Sequence, residues 1–271
     1  MGYQQVRRVG IVESSRNRGK SVAWFSGPDV KPRGESLNPR VQRLIPGLAE
    51  NPMIDILTTY GPEKDRLYSG VLADVLDTLG HRISALPIDL RPLRPEWRLF
   101  GRAATLSAVP VAVEPERPYA VELECIDALK PGDVLVATTH GDRGSGLWGE
   151  LLSTAARAHG AVGAVIDGLT RDAAKILAMD FPVFAAGFCP LDSKGRLDGI
   201  SHGKPIRHGA CLVRPGDFVF GDIDGIVVVP AELAEAAFPR ALEKVRGENR
   251  VREELARGRS AREVFAQYGI L

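Results

Sequence analysis

The chain is short of several things, and each shortage removes a class of protein. Its 271 residues hold only three cysteines, Cys125, Cys189 and Cys211. No two of them stand at C-x-x-C spacing, so a disulfide framework or a structural zinc site is not expected, and buried reduced thiols are the simpler reading. An excess of one charge is also missing. With 35 Lys+Arg against 34 Asp+Glu the net charge is +1, so nothing electrostatic points to nucleic acid or an acidic membrane as a partner. No apolar run approaches the ~18 residues of a membrane span. The first residues, with Arg7, Arg8 and Glu13, lack the apolar stretch of a secretory signal. Gly144 to Gly149 match Gly-x-Gly-x-x-Gly, but a loop from residue 139 on separates them from the strand pattern at 134–138, which disfavours a dinucleotide site or a methyltransferase loop. A cytoplasmic protein is the resulting expectation.

What is present divides into three stretches. Residues 1–50 carry Arg7, Arg8, Arg16, Arg18, Lys20, Lys31, Arg33, Arg40 and Arg43 against Glu13, Asp29, Glu35 and Glu50, broken by glycine and proline. They read as an irregular basic extension, packed on a neighbour or loosely held. Residues 51–230 read as an α/β body. A helical period over 66–79 ends at Gly80, strand patterns follow within 99–113, and a short helix fits 121–129. The body then alternates: strand 134–138, helix 148–159 closed by Gly160, strand 161–166, helix 172–179, strand 181–185. Beyond it the pattern is β-rich up to Pro230. Residues 231–271 read as a C-terminal helical segment packed on a neighbouring subunit, with its register interrupted near Gly247.

The chemistry concentrates between Gly146 and Asp172. Two helix starts, at Gly149-Glu150 and at Arg171-Asp172, each carry an acid. The first turn of a helix leaves amides unpaired, and with the dipole they attract anions. Gly149 lets a ligand approach the backbone, and the amides of Leu151 and Leu152 suit a carboxylate. Arg171 offers a planar fork of donors for a carboxylate or enolate oxygen. Asp172 is a hard oxygen ligand of the kind Mg²⁺ or Mn²⁺ accepts, and Glu150 can hold waters around such an ion. Spacing alone leaves the plain alternative open: acids favoured by the helix dipole, and Arg171–Asp172 as a surface pair. Lys175 reads as a solvated helix lysine rather than a Schiff-base nucleophile. His140 and Asp142 either border the pocket or are simple loop residues, while His202 and His208 are structural or exposed.

Twenty residues separate Glu150 from Arg171-Asp172. This acid-x20-Arg-Asp arrangement resembles the signature of the class II pyruvate aldolases, typified by 4-hydroxy-4-methyl-2-oxoglutarate aldolase, a family that includes the regulator of ribonuclease E activity A. Gly132-Asp133-Val134, Ile166-Asp167-Gly168-Leu169-Thr170, Phe181-Pro182-Val183-Phe184 and Pro215-Gly216-Asp217 running into Gly221-Asp222-Ile223-Asp224-Gly225 support it in order, over roughly residues 65–260. The resemblance implies an α/β/α sandwich of the swivelling phosphohistidine-domain type with a central mixed sheet. It implies a homotrimer or homohexamer with the site at a subunit interface. It further implies Asp172 as ligand to Mg²⁺ or Mn²⁺, Glu150 holding water at the ion, and Arg171 on the pyruvoyl group. The amides of Leu151 and Leu152 would hold the carboxylate. A glutamate of the neighbour's C-terminal helix would complete the site, Glu248 before Glu253. The implied activity is retro-aldol cleavage of a 4-hydroxy-2-oxo acid to pyruvate, with oxaloacetate decarboxylation as a companion. The alternatives are a non-catalytic binder of a ribonuclease and a metal-dependent sugar-acid dehydratase.

Overall fold

The computed structural model describes residues 55–87 and 89–270. The basic extension lies outside the described residues. The fold is built around one long strand. After a short helix α1 (Ile56–Tyr60) and helix α2 (Ser69–Thr78), a two-residue strand β1 (Arg91–Pro92) leads to β2 (Leu99–Pro110). One side of β2 pairs in parallel with β3 (Asp133–Thr138) from Arg102 to Ser107. Its other side is shared by two antiparallel partners. β11 (Phe218–Asp222) takes the first half and β8 (Leu197–His202) the second, with a register shift between Ser107 and Ala108. Beyond β3 come β5 (Gly163–Ile166) and β7 (Val183–Ala185), both parallel, then β1 at the edge. Beyond β11 comes β12 (Gly225–Val229). The order is therefore β1-β7-β5-β3-β2-β11-β12, with β8 beside β2: a mixed eight-stranded sheet.

Alternation assigns the faces. Phe100, Leu106, Leu135, Ala137, Ala164, Ile166, Val183, Phe218, Phe220, Val227 and Val229 share one face, and helices cover all of it. Over the β11–β12 end lie α2 and the long helix α6 (Ala234–Ala256), where Phe238 sits edge-on to Phe100 and Phe218 at ring separations of 5.2 and 5.9 Å. Over the β2–β7 end lie α3 (Ala120–Asp127), α4 (Glu150–Ala158) and α5 (Ala173–Met179). The opposite face, with Leu99, Ala103, Val134, Val136, Val165, Phe184 and Val228, is covered by Leu86, Leu90 and the hairpin of β9 (Ile206–His208) and β10 (Cys211–Val213). The expected sandwich with helices on both faces is corrected on this point: among the described residues the layers are helix, sheet and hairpin. The mixed sheet and the α/β class stand.

Two local expectations also change. Trp148 does not begin a helix; with Gly146 and Leu147 it forms strand β4 (Gly146–Trp148), and α4 begins two residues later. The register of α6 is not interrupted at Gly247: the helix runs continuously from Ala234 to Ala256, and its first half packs on this chain's own α2. The glycine marks instead where the C-terminal end returns after helix α7 (Ala261–Tyr268). A Cβ on Gly247 would lie 2.7 Å from the Ile270 Cδ1 methyl, the far end of a flexible side chain. Gly247→Ala is therefore expected to raise stability by about 0.5–1 kcal/mol through helix propensity, read as a higher urea midpoint. A lower midpoint would mean that the Ile270 contact cannot give way.

Candidate functional site

Two short strands bring the two helix starts together. β4 pairs in parallel with β6 (Leu169–Thr170), and each strand runs directly into a helix start. The Arg171 amide and the Thr170 hydroxyl both donate to the Trp148 carbonyl, at 2.8 and 2.9 Å. The segment 187–192 straps the pair from outside. Thr170 N donates to the Gly187 carbonyl at 3.0 Å, Cys189 N to that of Thr170 at 2.9 Å, and Gly146 N to that of Leu191 at 2.9 Å. Further in, the Asp167 carboxylate joins the ends of β3 and β5 by accepting from the hydroxyls of Thr138 (2.6 Å) and Thr139 (2.9 Å). The scaffold under both site loops is thus hydrogen-bonded on every side.

The candidate residues meet as a consequence of that pairing. Gly149, Leu151, Leu152, Arg171 and Asp172 line one cavity of about 240 Å³, together with Tyr119, Glu122, Leu123, Leu147, Asp192 and Ser193. Gly149 is required there by close approach: a Cβ would lie 2.9 Å from Asp172 Oδ2 and 3.2 Å from Arg171 Cγ. Asp172 is the N-cap of α5 yet does not cap it. It holds a left-handed conformation (φ 56°, ψ 29°), and its Oδ2 lies 3.4 Å from the amide of Glu150 on the other helix. A non-glycine residue in this region is strained, and such strain gathers at functional positions. Arg171 spans two acids, with Nε 3.8 Å from Asp172 Oδ2 and Nη2 3.6 Å from Asp192 Oδ1. In α4 the first intrahelical bond is that of Ser153 to the Gly149 carbonyl, which leaves the amides of Leu151 and Leu152 free of intrahelical partners.

Other expected residues sit elsewhere. Glu150 does not line the cavity; its Oε1 accepts from the Thr154 hydroxyl one turn on, at 2.9 Å. Within this chain Glu248 lies outside the cavity, 3.6 Å from Lys244 on α6, and burial raises its carboxyl above the ordinary value. Glu253 faces Arg257 at 4.0 Å. His140 hydrogen-bonds Ser107 at 3.1 Å, and Asp142 accepts from the Gly144 amide, so both are loop residues and not lining ones. His208 is fully buried 3.9 Å from Asp167, His202 is half-buried near Glu124, and Lys175 is exposed. Cys125 and Cys211 are buried, and burial pushes their thiols up to about 12 and about 11.

Six lining residues were not legible in advance, and three of them are ionisable. Tyr119, at φ 64° ahead of α3, donates to Asp192 Oδ2 at 2.6 Å. Burial, and then the Asp192 carboxylate, push its hydroxyl up to about 12, so it stays a donor. For Asp192 burial opposes the charge, but the Tyr119 hydroxyl and Arg171 outweigh it and hold the carboxyl below its ordinary value. Glu122 has both carboxyl oxygens buried, with no donor in good hydrogen-bond geometry among the described residues. Burial first, and the Asp198 charge beyond it, raise its carboxyl. An acid whose folded value is raised binds more protons folded than unfolded, so stability falls as pH climbs from the unfolded value towards the folded one. Glu122→Gln is accordingly expected to raise the melting temperature more at pH 8 than at pH 4. An equal change at both pH values would contradict the assignment.

Fold and pocket together define a mixed α/β protein whose cavity joins helix-start residues, one guanidinium and three carboxyl groups. Residues 70–228 match the RraA-like family, described as Aldolase/RraA, and the chain belongs to that family. A Halalkalibacterium halodurans protein provisionally named a 4-hydroxy-4-methyl-2-oxoglutarate aldolase is 32% identical over 174 residues, covering 64% of this chain and 77% of that one. Protein DlpA of Legionella pneumophila is 24% identical over 200 residues, covering 74% of this chain. The match spans only 32% of DlpA and 57% of an uncharacterised Methanocaldococcus jannaschii relative. Among solved structures, Streptomyces coelicolor RraAS2, described as an unusual member of the RNase ES inhibitor RraA family, superposes with a TM-score of 0.65. It is 28% identical, with 75% of this chain and 98% of that one covered. Among the described residues no helix is long and apolar enough to cross a membrane.

Proposed function

We propose that this protein is a divalent-metal-dependent lyase that cleaves a 4-hydroxy-2-oxo acid to pyruvate and a carbonyl product. The observation that carries the reading is the meeting of Arg171, Asp172 and the free amides of Leu151 and Leu152 in one cavity. The donor chemistry fits a hard cation. Among the described residues no three His, Cys, Asp or Glu side chains form a metal cage. Mg²⁺ and Mn²⁺ commonly rest on one or two carboxylates and otherwise on water and substrate oxygens, and Asp172, strained and not capping its own helix, is such a carboxylate. When bound, the cation supplies positive charge to the 2-oxo and carboxylate oxygens of the substrate.

The chain's own groups account for the rest. The amides of Leu151 and Leu152 bind the substrate carboxylate. Glu150, next in the chain to the lining residues Gly149 and Leu151, would take the 4-hydroxyl proton through an intervening water. As the C3–C4 bond breaks, its electron pair moves into a pyruvate enolate, and Arg171 meets the charge growing on the enolate oxygen. Water then protonates C3. Loss of CO₂ from oxaloacetate leaves the same enolate, so decarboxylation accompanies the aldol activity. Glu248 of a neighbouring copy would close the site in a trimer or hexamer.

The relation to RraAS2 favours a second reading, a binding protein for a ribonuclease. Enolate chemistry separates the two. Incubated with pyruvate and Mg²⁺ in D₂O, the lyase should exchange the pyruvate methyl protons for deuterium, seen as loss of the methyl NMR signal. No exchange above the Mg²⁺-only control would favour the binding protein.

A further inference from the structure

The Arg171 guanidinium is tied to two other segments of the chain. The strap supplies the first tie. Asp192 forms a parallel bridge with Gly146, and its carbonyl accepts from Arg196 at 3.0 Å, so its backbone is held from two directions. Its Oδ1 then lies 3.6 Å from Arg171 Nη2. The residue ahead of α3 supplies the second. Tyr119 donates to the other oxygen, Asp192 Oδ2, at 2.6 Å, so the carboxylate spends one oxygen on each partner. Burial opposes the Asp192 charge, but the Tyr119 hydroxyl and Arg171 hold the carboxyl below its ordinary value. Tyr119 makes this contact from a costly backbone. It stands at φ 64°, which is rare for a bulky residue, and its side chain does not cap α3. Asp172 at φ 56° is the other strained member of the cavity lining.

We propose, resting on the aldolase reading, that Tyr119 and Asp192 are positioning residues: the Tyr119 hydroxyl fixes the Asp192 carboxylate, and Asp192 holds the Arg171 guanidinium where a further donor meets the enolate oxygen. The two ion-pair contacts of Arg171 run through Nη2 to Asp192 and through Nε to Asp172, at 3.6 and 3.8 Å, and neither uses Nη1. Opposed pulls from two acids hold a planar fork in place better than one. Without the Asp192 charge, Asp172 alone of the two would attract the guanidinium, drawing it onto the oxygen that the cation needs. Every contact in this relay lies within one chain, so it is in place whatever a neighbouring copy adds to the cavity. Neither Tyr119 nor Asp192 has to touch the reacting atoms, because both act through Arg171.

The test follows deuterium exchange into the pyruvate methyl group with the full chain and Mg²⁺ in D₂O, above the Mg²⁺-only rate. Tyr119→Phe is expected to lower the rate at saturating pyruvate about tenfold and Asp192→Asn about thirtyfold, with KM for pyruvate changed less than about threefold. In an Arg171→Lys background, where the fork is already lost, each substitution should cost less than about twofold more. A merely structural tie between the strap and α3 would instead give losses that multiply with that of Arg171→Lys. Multiplying losses, a loss carried by KM, or a rate within about twofold of the parent in either single variant would overturn the inference and leave the aldolase reading standing. No exchange by the parent would overturn that reading, and the inference with it.

Discussion

Arg171→Lys is expected to lower kcat for pyruvate release by about 10²–10³-fold although the positive charge is kept, in the range seen when one donor to a developing oxyanion is removed. The reason lies in the shape of the group. The guanidinium of Arg171 faces two carboxylates at once, Asp172 through Nε and Asp192 through Nη2, and is positioned between them. A lysine ammonium is a compact, strongly hydrated point charge on a flexible stem and cannot span both acids while presenting a donor to the enolate oxygen. The fold should be little affected: the Arg171 backbone is held by its amide bond to the Trp148 carbonyl, which the substitution leaves in place. Steady-state kinetics and a melting curve on the same sample separate the two effects. A lysine variant within threefold of the parent would move charge stabilisation to another group.

Asp172→Asn is the second substitution with a large expected effect, because it separates the backbone from the charge. At φ 56° the position asks for a residue that tolerates the left-handed region, and asparagine does so about as readily as aspartate. Stability should change by no more than about 0.5 kcal/mol. Metal-dependent activity should nevertheless fall by about 10³-fold, since the hard anionic oxygen is lost. Asp172→Gly supplies the complement. It should relieve backbone strain of about 1 kcal/mol and raise the melting temperature while remaining inactive. An active asparagine variant would place the cation on other oxygens.

Much of the body was legible because periodicity and glycine punctuation report local structure. The helix ending at Gly80, the strand at 134–138 and the glycine-closed α4 all carry their own signals. The pairing of Glu150 with Arg171-Asp172 was legible as spacing, and β4 and β6 turn that spacing into proximity. What could not be read was non-local. One strand, β2, serves two antiparallel partners along one edge, and no local pattern announces that division. The helix layer on both faces of the sheet came with the family resemblance, and the strands could not correct it, because an internal strand is apolar on both sides whether a helix or a hairpin covers it. Trp148 looked helical because an apolar residue two positions before a helix is compatible with either state. Tyr119 and Asp192 lie in irregular segments with no periodicity, and only the strap across β6 brings them to Arg171. Gly247 looked like a helix break but is the space that admits Ile270.

The central claim is tested most directly by following pyruvate from a panel of 4-hydroxy-2-oxo acids and oxaloacetate with the purified chain. The panel is run with Mg²⁺, after EDTA, and after Mg²⁺ or Mn²⁺ is restored. The account predicts pyruvate release that EDTA abolishes, that either ion restores, and that is absent in Arg171→Ala and Asp172→Ala. Absence of metal-dependent pyruvate from every substrate, or full activity in either variant, would contradict it.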